Sequence, residues 1–160
     1  MFLLKVLEKV KTKVILTVVG PAEDKNYWNE CEKKIKQLPG NIQIDYVGTK
    51  RNDELLQILR QHHLFILPTT GENFGHAIFE AFFAGRPVLI SDQTPWLNLI
   101  DYKVGWDVPL NQPETFTEII EQVAEWNQEQ FDEAAYAAWK YAKKFIENPE
   151  LKQQYFKLFS

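Results

Sequence analysis

Apolar residues along the chain follow alternating helical and strand rhythms. Phe2, Leu3, Val6, Leu7 and Val10 recur at helical spacing over residues 2–10. Residues 14–19, VILTVV, are an unbroken, largely β-branched run closed by Gly20-Pro21, as expected of a strand buried in a parallel sheet. A charged stretch over residues 24–37 predicts a helix that stops at Leu38-Pro39-Gly40. Residues 42–47 read as the next strand, ending at Gly48, and Asn52 can cap a helix carrying Leu55, Leu56 and Leu59. Strands over 64–67 and 88–91 flank a helix over 76–84, and a short strand follows over 104–108.

Beyond that point only helical patterns remain. Asn111 with Glu114 three residues on resembles a capping box, and Pro113 suits a first turn, so a helix is predicted from there through Trp126. A second is predicted over 130–146. Asn148-Pro149-Glu150 opens a third, carrying Leu151, Tyr155, Phe156 and Phe159. Strands that are apolar throughout and alternate with helices predict an α/β fold: a single Rossmann-like domain with a parallel sheet flanked by helices and a helical C-terminal extension. The chain opens on a helix where such a half-fold ordinarily opens on a strand.

Composition narrows the function classes. At 160 residues, 45% hydrophobic and 25% charged, the chain has the length and balance of one globular domain. A net charge of −4 offers no basic surface for nucleic acid. The apolar runs are strand-sized, too short to span a bilayer, and Lys5 and Lys9 break up the apolar N-terminus as a secretory signal. The single cysteine, Cys31, can form no internal disulfide, which fits a reducing cytoplasm. Neither a G-x-G-x-x-G nor a P-loop pattern is present, which argues against dehydrogenase and P-loop readings.

In an open α/β sheet, ligands bind beyond the carboxyl ends of the strands. Three loops sit there: Gly20-Pro21, Gly48-Thr49-Lys50-Arg51-Asn52, and the segment 68–75. The last is the most informative. Gly71 and Gly75 permit unusual backbone angles and close approach. The amides of Gly75, His76 and Ala77 open a helix, whose N-terminus attracts anions with about 0.3–1 kcal/mol, rising to about 2 when partly buried. Glu72 precedes that position and Glu80 lies about a turn inside the helix. A carboxylate accepts two hydroxyl hydrogen bonds at once, which suits a vicinal diol. A sugar, a diphosphate and a ribose in series would fill the row.

The segment GENFGHAIFEAFFAGRPVLISD resembles the donor-domain signature of GT-B glycosyltransferases of family 4, the glycosyl transferases group 1. The shared positions are Glu72, Phe74-Gly75, Glu80-Ala81 and Gly85-Arg86-Pro87-Val88, with weaker similarity over 14–127. The resemblance implies the C-terminal, donor-binding half of a GT-B fold and transfer from a nucleotide-diphosphate sugar, UDP- or GDP-linked, with retention of configuration and no metal. It assigns Glu72, the catalytic candidate, to hydroxyls of the transferred sugar, assisted by amides of Asn73, Phe74 and Gly75. The amides of His76 and Ala77 take the diphosphate and Glu80 the ribose. Gly48, Thr49, Lys50 and Arg51 flank the base, with Lys50 or Arg51 near the phosphates. No Asp-x-Asp metal motif occurs in the chain.

Residues 1–160 are thus expected to be a donor domain lacking its first strand, the basic residues on and after that strand, and an N-terminal acceptor domain. The expected partners are the donor sugar nucleotide and an acceptor the sequence does not specify. A cytoplasmic location is expected, for the full-length enzyme at the inner face of a membrane, with a role in surface polysaccharide or glycolipid assembly. Two alternatives stand beside this reading: a non-catalytic nucleotide-sugar-binding module, and another GT-B relative such as an epimerase. His76 is expected to lend its backbone rather than act as acid or base, since helix N-termini disfavour imidazolium. His62 and His63 decorate a helix end, and Cys31 is inert. Trp96, Trp106, Trp126 and Trp139 read as packing residues. Tyr155, Phe156 and Phe159 are expected to be exposed or to rest on a second copy of the chain.

Overall fold

The computed structural model describes residues 1–147. In chain order the elements are α1 (Phe2–Leu7), β1 (Val14–Val19), α2 (Lys25–Ile35), β2 (Ile42–Gly48), α3 (Asn52–Arg60), β3 (Phe65–Leu67), α4 (His76–Phe83), β4 (Val88–Ser91), β5 (Gly105–Val108), α5 (Pro113–Ala124) and α6 (Gln128–Glu147). The predicted alternation is borne out, and every strand pair is parallel. The expected third C-terminal helix, with Tyr155, Phe156, Phe159 and the self-association assigned to them, lies outside the described residues. The chain divides into two compact units: Met1–Leu55 with Asn111–Glu125, and Leu56–Leu110 with the chain from Trp126 onward.

The first unit is built on β1 paired with β2, in register from Val14 opposite Ile42 to Val18 opposite Tyr46, with an irregularity before Val19 meets Gly48. The reading of β1 as fully buried is corrected: none of its residues is buried, and Ile15 is 51% exposed. An apolar run supplies side chains to both faces, but this sheet has only two strands. Asn41 fixes the crossover by donating from Nδ2 to the carbonyls of Val10 (3.0 Å) and Thr12 (2.7 Å). Leu4, Val6, Leu7 and Val10 are buried beside a second apolar row, Phe116, Ile119, Ile120 and Val123, on α5. Phe2 meets Phe116 edge-on at 5.1 Å.

Two helix starts differ from expectation. Asn111 and Glu114 form no capping box: Gln112 occupies the N-cap without a side-chain bond to the helix amides, Pro113 begins the helix, and Glu114 turns away to pair with Lys9 at 3.0 Å. Asn52 already lies inside α3, and Arg51 holds the cap position. The Leu55 amide donates to the Arg51 carbonyl, and Glu54 accepts from the Arg51 amide at 3.1 Å. A reciprocal box that spacing alone did not single out opens α6. Gln130 N donates to Asn127 Oδ1 at 2.9 Å, and Asn127 N donates to Gln130 Oε1 at 3.0 Å.

In the second unit β4 lies between β3 and β5, with Leu89 opposite both Ile66 and Trp106. Its central place explains why all of Val88–Ser91 is buried. α4 lays Ile78, Phe79, Ala81 and Phe82 into this core and packs against α6, where Ala138 and Ala142 are fully covered. Small residues at those positions let the two helices approach closely. A Schellman motif ends α4: Arg86 N reaches the Ala81 carbonyl at 2.8 Å and Gly85 N the Phe82 carbonyl at 2.9 Å, with Gly85 at φ 70°. Of the four tryptophans read as packing residues, Trp96 is buried and Trp106 faces Trp126 at 5.9 Å. Trp139 is corrected: it is 40% exposed, on the outer face of α6 with Lys143 over its ring.

Gly105 sets how closely β4 and β5 approach. At φ 152°, an added Cβ would sit 2.1 Å from the Val88 carbonyl oxygen, a backbone atom that cannot swing aside. We therefore expect Gly105→Ala to cost about 3 kcal/mol or more in denaturant unfolding, since it adds steric overlap to backbone strain. Gly71→Ala, where a Cβ meets nothing within 4 Å, should shift the midpoint little. Equal effects of the two substitutions would refute this account of the strand contact.

Candidate functional site

Because β3, β4 and β5 run parallel, their carboxyl ends share one edge of the sheet, and the loops after β3 and β4 lie side by side there. The first of these loops carries Glu72, Asn73, Phe74 and Gly75 into α4. Thr69 shapes its beginning, with its hydroxyl donating to the Gly71 carbonyl at 2.9 Å and accepting from the Gly71 amide at 3.2 Å. The Glu72 backbone is pinned by its N–H to the Gln93 carbonyl at 3.1 Å, while the residue itself is exposed. The loop is therefore fixed in its backbone and open in its carboxylate.

Gly75 makes the corner. It is the N-cap of α4 in left-handed conformation, φ 75° and ψ 60°, with no side-chain cap on the helix. A Cβ here would come within 2.8 Å of Ile78 Cδ1, the movable end of a side chain, and 3.3 Å of Trp96 Nε1, so the left-handed backbone angle is the main demand for glycine and the crowding adds to it. Ile78 N and Phe79 N both donate to the Gly75 carbonyl, at 3.0 and 3.1 Å. Among the described residues, the amides of Gly75 and Ala77 find no acceptor within the chain. These first-turn donors, with the helix dipole behind them, are the elements of an anion site.

Glu80 lies one turn further, half-buried on α4. Burial pushes its carboxyl up from the ordinary value of 4.5, and His76, one turn before it, partly offsets this by favouring the charged form. His76 also stacks at a tilt on Phe74, with ring centroids 4.9 Å apart. The structure thus brings Glu72, Asn73, Phe74, Gly75, His76, Ala77 and Glu80 onto one loop–helix junction.

Gly48, Thr49, Lys50 and Arg51 belong to the first unit, where they close β2 and lead into α3. Gly48 is left-handed at φ 68°, and its carbonyl accepts from the Gly20 amide at 3.0 Å. Arg51 is engaged with Asp53 (3.2 Å) and Glu54 (3.4 Å), pairs exposed enough to be exchanged for another anion at little cost. His62 ends α3 with Nδ1 2.7 Å from the Ile58 carbonyl, as a helix-end residue should. Cys31 is buried, in keeping with an inert thiol.

Three residues without a predicted role at this site support it from the end of β4 and the loop that follows it. Ser91, fully buried, donates from Oγ to the Thr69 carbonyl at 2.5 Å. Gln93 supplies the acceptor for Glu72 N, and the Trp96 indole donates from Nε1 to the Phe74 carbonyl at 2.5 Å. Ser91 lies inside the segment that carries the resemblance, whereas the only sequence signal of Gln93 and Trp96 was proximity to the strand end. Among the described residues, no group of three or more His, Cys, Asp or Glu side chains could hold a metal ion, and no helix is long and apolar enough to cross a membrane.

A parallel α/β sheet whose strand ends feed a glycine-turned helix start is the architecture of proteins that bind phosphorylated ligands at that edge. The chain belongs to the glycosyl transferases group 1 family, whose profile it matches over residues 2–153. It is similar to an uncharacterised glycosyltransferase of Methanocaldococcus jannaschii, at 26% identity over 109 residues, covering 67% of this chain and 27% of that protein. Among solved structures it resembles HepE of Anabaena in complex with UDP-glucose, with a TM-score of 0.81 at 21% identity, over 99% of this chain and 44% of that one. It also resembles the catalytic domain of the cholesterol-α-glucosyltransferase of Helicobacter pylori, with a TM-score of 0.70 at 19% identity, over 90% of this chain and 88% of that one. The fold is that of the GT-B glycosyltransferases, and the chain spans less than half the length of HepE and about a quarter of the archaeal relative.

The raised value of Glu80 has a testable consequence without ligand. Its folded-state value lies above the unfolded one, so its contribution to stability is fully present below about 4.5 and is lost as pH rises through the folded value. At neutral pH the ionised carboxylate is therefore destabilising. Glu80→Gln should raise the thermal midpoint of the unliganded protein at pH 7.5, and the gap should close as pH falls toward 4. A lower midpoint for the variant at pH 7.5 would show that Glu80 is satisfied rather than poorly solvated.

Proposed function

We propose that this chain binds a nucleotide-diphosphate sugar at the edge of the β3–β5 sheet and presents it for retaining, metal-independent glycosyl transfer, as in family 4, to an acceptor held by a further domain. The observation that carries the proposal is the order of groups along one loop and helix: an exposed Glu72, an uncapped left-handed helix start at Gly75, and Glu80 one turn in. Glu72 accepts hydroxyls of the transferred sugar. The amides of Asn73, Phe74 and Gly75 assist it, those of His76 and Ala77 receive the diphosphate, and Glu80 accepts the ribose hydroxyls. HepE was solved with UDP and with UDP-glucose, which favours a uridine donor here.

The chemical burden is leaving-group stabilisation. As the sugar–phosphate bond breaks, negative charge gathers on the diphosphate and positive charge on the sugar ring. Amides fixed in advance meet the first without reorganising, the condition under which such donors are most effective. Glu72, beside the sugar, is placed to favour the second. Glu80 gains as well, because hydroxyl donors stabilise its ionised form and relieve the burial that raises its value.

Titration calorimetry with UDP, GDP and their glucose conjugates tests the assignment of roles. A charge-assisted hydrogen bond contributes about 1.5–3 kcal/mol, so Glu80→Ala should weaken UDP and UDP-glucose alike by tenfold or more. Glu72→Ala should weaken only the sugar conjugate. Affinity should fall with pH through the raised Glu80 value in the wild type and be flat over that range in Glu80→Gln. Chelator should change neither binding nor donor turnover, and proton NMR should show the transferred sugar keeping its anomeric configuration. Unchanged UDP affinity in Glu80→Ala would sink the ribose role, whereas clear binding without turnover, once an acceptor domain is supplied, would favour a binding module.

A further inference from the structure

We infer that Trp96 is a positioning residue for the donor loop: its indole N–H, donated to the Phe74 carbonyl at 2.5 Å, holds the first-turn amides of α4 in line. The inference rests on the donor-site reading above but concerns a residue outside the motif that suggested it.

The two loops at the sheet edge are fastened at three points, from Ser91 Oγ to the Thr69 carbonyl, from Glu72 N to the Gln93 carbonyl and from Trp96 Nε1 to the Phe74 carbonyl. The third lies nearest the amides, one residue before Gly75. A carbonyl engaged by the indole fixes the peptide plane between Phe74 and Gly75, and therefore the direction of the Gly75 N–H. The same nitrogen lies 3.3 Å from where a Gly75 Cβ would stand, so the ring also roofs the left-handed corner.

Trp96 is itself held firmly. It is 5% exposed, and its loop is turned by Thr94, whose hydroxyl accepts from the Trp96 amide at 3.2 Å. Its ring meets Phe74 edge-on at 5.6 Å and Phe82 at 5.4 Å, and Phe145 of α6 lies at 5.2 Å. A buried tryptophan ordinarily finds a partner for its N–H. Here the chosen partner is the carbonyl that orients a ligand-binding turn. The ring's packing anchors the residue, and its polar edge acts on the loop.

Trp96→Phe separates these roles, since phenylalanine keeps an aromatic ring in the cluster and removes the donor. Loss of one buried hydrogen bond that orients the amides should weaken UDP-glucose binding about tenfold. Hydrogen exchange of the unliganded protein should quicken at residues 72–77 while β4 stays protected. Ser91→Ala, which removes a second fastening without a large volume change, should act in the same direction and covers the case in which Trp96→Phe does not fold. Phe116→Leu, a fully buried residue of α5 in the other unit, is the structural control: it should lower the thermal midpoint yet leave UDP-glucose affinity unchanged well below that midpoint. Wild-type binding with unaltered affinity in Trp96→Phe would overturn the positioning role. If the wild type binds neither UDP nor UDP-glucose, the donor-site reading fails by itself. The exchange rates at 72–77 then decide whether the clamp exists, equal rates in wild type and Trp96→Phe overturning it.

Discussion

The left-handed turn at Gly75 is the constraint on which the candidate site depends. It lets the chain leave β3, cross the sheet edge and enter α4 within a few residues, with the first amides of the helix unclaimed by a capping side chain. A serine or aspartate N-cap ordinarily gains only roughly a few tenths of a kcal/mol over glycine, and its side chain would occupy donors that the proposed site offers to a diphosphate. The helix forgoes that stabilisation at one end. It recovers rigidity elsewhere, through the apolar row Ile78, Phe79 and Phe82 and through the Schellman closure at Gly85.

The same trade appears at Glu80. A half-buried carboxylate without a strong cationic partner is an unfavourable thing to fold, and its raised value shows that cost. Burial would also make it a selective acceptor in the proposed site, because hydroxyls reaching it would meet little competition from water. Site and scaffold are therefore in tension along α4: each residue that packs inward is optimised for the core, while Gly75 and Glu80 are left with unmet demands. A ligand with an anion and a diol at the right separation satisfies both demands together.

The sequence made the fold legible because its strands are short, apolar runs punctuated by glycine or proline, and because α4 and α6 carry strong periodicity. That Glu72 to Glu80 share one loop–helix junction was readable for a different reason: those residues are local in sequence, and their spacing carries the geometry. What stayed hidden was mostly non-local. Asn111 and Glu114 had the spacing of a capping box, yet Lys9, more than a hundred residues away, draws Glu114 off the helix start. β1 had the composition of a buried strand, but burial depends on what lies beside a strand, and β1 pairs with β2 in a two-stranded sheet. Trp139 and Trp96 are both aromatic residues near helices. Only the packing of α4 against α6 shows one of them facing out and the other enclosed.

Trp96 also explains why the site motif alone does not define the site. A loop of glycine, glutamate and asparagine has many backbone states, and a diphosphate would have to select one from among them at an entropic cost to binding. Fastening the loop from the neighbouring strand end moves that cost into folding, where a buried aromatic cluster covers it. Parallel strand order makes this available, since β3 and β4 deliver their loops to the same edge. The proposed roles of Glu72 and the amides thus depend on the end of β4 and the residues after it, which hold the loop in position.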